Sequence, residues 1–187
     1  MSHASALTLE QQRADFARSP FLAMPIAGTI AWTAIGIAGM FLPNDRASWA
    51  LFIGTGMIFS LGLVVAKFTG EDLLGKQRPG NPFDALFMRG VVMAWLVFAI
   101  AIPFFRMDPT SLPLTVGILA GLMWLPFGWI IRHWVGTFHA VSRTILCLVA
   151  WYAFPDHRFV VIPAVIVAIY VVSIAALVRR QGTISAG

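Results

Sequence analysis

The chain has 187 residues, 59% of them hydrophobic and 11% charged, with a formal net charge of +5. Ordinary soluble domains are about half apolar and about a quarter charged, so a soluble fold of this length could not hide so much apolar surface. A soluble nucleic-acid binder is excluded as well, because the basic residues stand beside apolar runs, where anionic headgroups attract them without further function.

Residues 8–18 read as a short helix with Thr8 and Gln11 in capping-box spacing and a weak apolar face of Leu9, Phe16 and Ala17. This helix is expected at the membrane surface. The apolar run over 20–43 is too long for a signal peptide and lacks a small-residue cleavage site, so it reads as a retained span. Further runs follow, and the expected spans are 21–42, 49–68, 82–105, 112–131, 135–154 and 159–178. A bilayer-crossing helix needs about 20 apolar residues, and lone strands cannot satisfy their backbone in lipid. The expected fold is therefore all-α: a polytopic transmembrane helix bundle of about six spans. Residues 1–19 and 181–187 are expected as cytoplasmic tails around a membrane domain over 20–180, and the short loops leave no room for a separate soluble domain.

Basic residues orient the bundle, since cytoplasmic loops retain Lys and Arg. One side holds Arg13, Arg18, Lys67, Lys76, Arg78, Arg89, Arg132, Arg179 and Arg180, the other only Arg46, Arg106 and Arg158. Both termini are expected inside. The inner loop over 69–81 reads as a flexible connector or a lid, and its end supplies Asn81 as N-cap, Pro82 at the first helical position and Asp84 in the first turn. An aromatic stands four residues before an aspartate at each outer turn: Phe41 and Asp45, Phe104 and Asp108, Tyr152 and Asp156. Three related helical hairpins would produce this recurrence, and so would the ordinary decoration of span ends by aromatics and cations.

The fifth span is the unusual one. Arg143 is its ninth residue, which at 1.5 Å per residue places its backbone on the order of 12 Å below the inner surface. A cation there costs at least about 2.5 kcal/mol. His139 and Gly136 precede it at helical spacing, with Ser142 alongside. All acids lie in loops, tails or helix ends, so the partners open to Arg143 are backbone carbonyls, a bound anion, a lipid phosphate, or Glu71, Asp72 or Asp84 folded in from the long loop. One reading is an anion or headgroup site, with His139 as a neutral donor or proton-sensitive neighbour. The other is structural: Arg143 snorkels inward and ties its helix to the loop.

The histidines make no metal site. His133 and His139 fall on different helix faces, and no acid or thiol completes a ligand set. The single cysteine, Cys147, lies within a span, and no cofactor motif is present. In the fourth span, Trp129 and Trp134 fit an interfacial belt, Pro126 a kink, and Gly117 with Gly121 a close-packing face. A tryptophan-lined pocket near Pro126, formed by Trp124 and Trp129, is the alternative. No serine elbow, phosphate loop or His-Glu-x-x-His helix is present, which argues against an enzyme.

The tail containing Leu9, Gln12, Arg13 and Phe16, followed by GTIAW, ALFIGTGMIF, GNP and FHAVSRT, resembles a family of small bacterial multi-pass membrane proteins known only as a domain of unknown function. The resemblance covers nearly the whole chain and implies a bacterial inner-membrane protein without an assigned activity. Three functions are expected in order: a small channel or transporter for an anionic or weakly ionisable solute; a scaffold binding lipid or a partner protein; and a lipid-modifying enzyme, provided His139 lines a lipid-sized pocket. The expected ligand-binding residues are Arg143, His139, Ser142, Trp124 and Trp129. Expected partners are membrane lipids, an anionic small molecule and a further copy of the chain.

Overall fold

The computed structural model describes residues 7–185, with side chains through 183. The first six residues of the 1–19 tail and the last two of the 181–187 tail lie outside the described residues. Thr8 and Gln11 close their reciprocal cap, Thr8 Oγ1 accepting from the Gln11 amide and Gln11 Oε1 from the Thr8 amide, and start α1 (Leu9–Ala17). There follow α2 (Ala23–Phe41), α3 (Asn44–Gly56), α4 (Ile58–Thr69), α5 (Pro82–Leu96), α6 (Phe98–Met107), α7 (Leu112–Gly121), α8 (Trp124–Ile130), α9 (Val135–Ala153) and α10 (Arg158–Ser185). No strand occurs among the described residues.

Four segments are long and apolar enough to cross a membrane: Ala23–Phe41, Pro82–Met107, Pro109–Ile130 and Pro155–Thr183. α3 and α4 together make a fifth, bent by 48°. The count is thus four to five, short of the expected six, because α9 falls below the apolar threshold with His139 and Arg143 in its 19 residues. Two boundaries also move. The second expected span begins at Asn44 rather than 49, behind an extended Pro43 and with Asp45 in the first helical turn. The last helix runs past 178 to Ser185, so the beginning of the expected 181–187 tail is helical.

α2 and α10 form the centre, with α3 and α4 packed on α2, and with α9 on α10 and on α7 and α8. Glycines set the closest approaches, as at Gly28, where a Cβ would stand 2.6 Å from the Tyr170 hydroxyl. The α5–α6 segment is peripheral: 17% of its apolar window is buried, against 44% for that of α10. α5 meets α1, α6 and α7.

The loop over 69–81 is hydrogen-bonded to the helices around it. Glu71 Oε1 accepts from the Leu22 and Ala23 amides, each at 2.8 Å, at the start of α2. Arg78 pairs with Asp84 (2.8 Å) and donates to Ser19 Oγ. Asn81 caps α5 through the Phe83 amide and donates to the Gln12 carbonyl of α1. α1 is held in turn by Arg13 donating to the Ile130 carbonyl, by Arg180 donating to the Ala17 carbonyl, and by Phe16 against Phe21 and Phe83. At the opposite end Arg158 donates to Thr110 Oγ1 and stacks 3.3 Å over Trp151. The three aspartates there are used differently: Asp108 caps Thr110, Asp45 opens α3, and Asp156 sits in a 3-10 turn.

Candidate functional site

The polar stripe of α9 faces inward. Gly136, His139 and Arg143 are all buried, His139 fully and Arg143 to 2% exposure, while Val141, Ile145, Leu148 and Val149 are exposed. A helix interrupted by a cation thus turns that cation inward and leaves a largely aliphatic outer face over 141–149. Arg143 fits because α7 turns a small-residue face to it: a Cβ on Gly121 would stand 2.7 Å from Arg143 Cδ. The Gly117–Gly121 spacing, read from sequence as a helix-packing device, is the seat of an arginine stem.

The guanidinium is neither snorkelled to the surface nor bound to the loop acids. Nε donates to the Gly117 carbonyl (2.5 Å), and Nη1 stands 3.4 Å from both His139 Nε2 and the Tyr170 hydroxyl. Trp32 and Tyr170 turn ring faces toward it, at 5.3 and 5.6 Å. Ring faces and a carbonyl attract a cation without neutralising it. Among the described residues no acid pairs with Arg143, and Nη2 makes no hydrogen bond.

His139 orients Arg143. Ser173 Oγ donates to the Ile169 carbonyl (2.8 Å), so its oxygen must accept from His139 Nδ1 at 2.9 Å. This arrangement selects the neutral Nδ1–H tautomer and turns the Nε2 lone pair toward Arg143 Nη1. The ring is held flat on Trp124, with centroids 3.9 Å apart and planes 8° apart. Replacing Ser173 by alanine is expected to destabilise the protein by about 0.6 kcal/mol, and at most about 1.7 kcal/mol, the range for interhelical hydrogen bonds in membranes. Reversible unfolding in mixed micelles measures this, and a loss of several kcal/mol would show that the serine carries more than one hydrogen bond.

Arg143, Trp32, Trp124 and Tyr170 line one end of a cavity of about 280 Å³ enclosed by α2, α3, α4, α5, α7 and α8. Its wall is mainly apolar, with Phe59, Leu86, Met93, Phe98 and Met123 among its members. The volume corresponds to about nine water molecules, just under the usual lower size of small-molecule sites, about 300 Å³. At the inner end of the cavity stands Phe21, whose φ of 57° is left-handed, a conformation costing a bulky residue about 1 kcal/mol or more. Phe21 packs edge-on against Phe127 at 5.1 Å and against Phe16 at 5.0 Å.

Of the residues expected at a ligand site, Arg143, His139 and Trp124 are brought together, although His139 stands behind the cavity wall. Ser142 is not part of the group: its hydroxyl bonds back to the Phe138 carbonyl of its own helix. Trp129 is 73% exposed on α8, away from the cavity. Trp32 and Tyr170 were not singled out, although both carry a signal: Trp32 lies mid-span rather than at an interface, and Tyr170 and Ser173 are the polar groups of an otherwise aliphatic run. Among the described residues no group of three His, Cys, Asp or Glu side chains could hold a metal ion.

An all-helical protein with several membrane-spanning segments, holding a buried arginine beside an apolar cavity, is the class that fold and site define. The chain belongs to a family of unknown function, DUF7010, whose model matches residues 9–180. No curated protein and no solved structure matches it.

Proposed function

We propose that this protein is a small membrane transporter or channel for an anionic solute with an apolar body, bound in the intramembrane cavity with Arg143 as counter-ion. The observation that carries this reading is Arg143 itself: a guanidinium without an acidic partner, with Nη2 unused, on the wall of an apolar cavity. An ionisable group at that depth costs several kcal/mol, and an anion brought into the cavity would offset that cost. Nη2 and the Tyr170 hydroxyl supply donors, and the aliphatic and aromatic wall takes the apolar body. The volume suits a ligand of about ten non-hydrogen atoms, on the scale of a medium-chain carboxylate or sulfonate.

In this reading α9 is the sixth span, with His139 and Arg143 compensated inside the bundle and its exposed face aliphatic. Six crossings bring both termini to one side, and the excess of arginine and lysine on the α1 side identifies that side as cytoplasmic, in a bacterial inner membrane. The enzyme reading lacks support, since it needed His139 on the cavity wall. The test is flux of octane-1-sulfonate into proteoliposomes. The wild-type protein is expected to conduct it and the Arg143→Met variant to lose conduction; equal flux from the two would remove Arg143 from the mechanism.

A further inference from the structure

A second ionisable side chain lines the same cavity at the end remote from Arg143. Glu71 follows α4, and one of its oxygens, Oε1, accepts both amides at the start of α2. The other, Oε2, is buried with only the buried Thr69 hydroxyl beside it, and neither reaches any other partner. A single neutral hydroxyl is little solvation for the dry oxygen of an ionised carboxylate, whereas a protonated one donates its O–H to the Thr69 oxygen and buries no charge. Burial accordingly pushes the Glu71 carboxyl above the ordinary glutamate range, against the α2 amides and the Thr69 hydroxyl, which pull it down.

The charged neighbours do not account for this carboxyl. α2 presents only its amides, and neither Lys67 of α4 nor any other described cation forms an ion pair with Glu71. Arg78 is engaged by Asp84. Arg89 of α5 lies on the cavity wall but is exposed, and Arg143 is at the far end. Leu22 and Trp32, which mark the two ends on α2, are ten residues apart, or about 15 Å at 1.5 Å per residue.

We infer that Glu71 is a proton-binding site linked to the anion site, so that the cavity takes up an organic anion together with a proton. This deepens the proposed function and rests on it. An ionised Glu71 repels an anion held at Arg143; a proton taken from solvent onto its free oxygen removes that repulsion. At a separation of about 15 Å and an effective dielectric of about 20, the repulsion weakens anion binding about sixfold. By linkage, the bound anion raises proton affinity by the same factor.

The test is equilibrium binding of radiolabelled octane-1-sulfonate to the full chain in nanodiscs, across the acid-to-neutral range. A sulfonate stays ionised throughout, so any pH dependence belongs to the protein. Wild-type affinity is expected to fall about sixfold as pH rises through the Glu71 titration, and Glu71→Gln to bind with the acid-limb affinity at every pH. Glutamine keeps an acceptor for the α2 amides, and the wild-type profile stands alone should the variant not fold. A flat wild-type profile, or an unchanged slope in Glu71→Gln, overturns the proton link while leaving the Arg143 site intact. Absence of sulfonate binding at any pH overturns both.

Discussion

Replacing Arg143 by methionine is expected to abolish binding and flux of the anion while leaving the fold intact, or more stable. The two outcomes separate because Arg143 is a buried cation without an acid partner. Losing one member of a close, desolvated charge contact costs about 2–5 kcal/mol, so anion affinity should drop at least about thirtyfold. Removing an uncompensated charge from the interior works the other way, since apolar replacements of buried ionic groups are often neutral or stabilising by about 1–4 kcal/mol. Methionine keeps much of the stem volume against Gly121, which avoids the void that alanine would leave. Thermal unfolding in detergent, measured beside sulfonate binding, reads both effects. A variant that unfolds earlier yet still binds the anion would mark Arg143 as a structural keystone linking α9 to the Gly117 carbonyl and nothing more.

The largest loss of stability is expected at Gly136. Here α8 and α9 cross backbone on backbone: a Cβ on Gly136 would collide with the Trp124 carbonyl and with Gly128 Cα, and one on Gly128 would stand 2.7 Å from Gly136 Cα. Neither neighbour is a side-chain tip that can swing away, so the helices must separate. Overpacking typically costs about 1–3 kcal/mol, and a contact with backbone on both sides belongs at or above the top of that range. Separation also moves Trp124, which holds the His139 ring flat, so Gly136→Ala should lose anion binding together with stability. Unfolding at the wild-type temperature with unchanged binding would contradict this crossing geometry.

Much of the site was legible in the sequence through helical period alone. Gly136, His139 and Arg143 recur at three- and four-residue spacing, which is sufficient to place them on one face, and a mid-span arginine cannot face lipid cheaply. The partners were not legible, because they come from other helices and are not of the complementary type that a charge leads one to seek. The Gly117 carbonyl is a backbone atom, and Trp32 and Tyr170 are ring faces. Glu71 was read as a possible counter-charge for Arg143, whereas it caps α2 instead. Trp129 and Trp124 lie in one short stretch, and only their position around α8 separates an exposed ring from a cavity wall. Mean hydropathy counts α9 as too polar because it averages over all faces, although His139 and Arg143, which lower it most, are buried.

Photolabelling with an alkyl sulfonate carrying a diazirine near its tail, followed by peptide mass spectrometry, tests the Arg143 site most directly. An anion held by Arg143 places its apolar body against the cavity wall, so adducts are expected at Met93 of α5, at Phe98 where α6 begins and at Met123 between α7 and α8, and should disappear in Arg143→Met. Labels spread over the outward residues of α6 and α10, with the same yield in the variant, would show a probe dissolved in lipid and no site at Arg143.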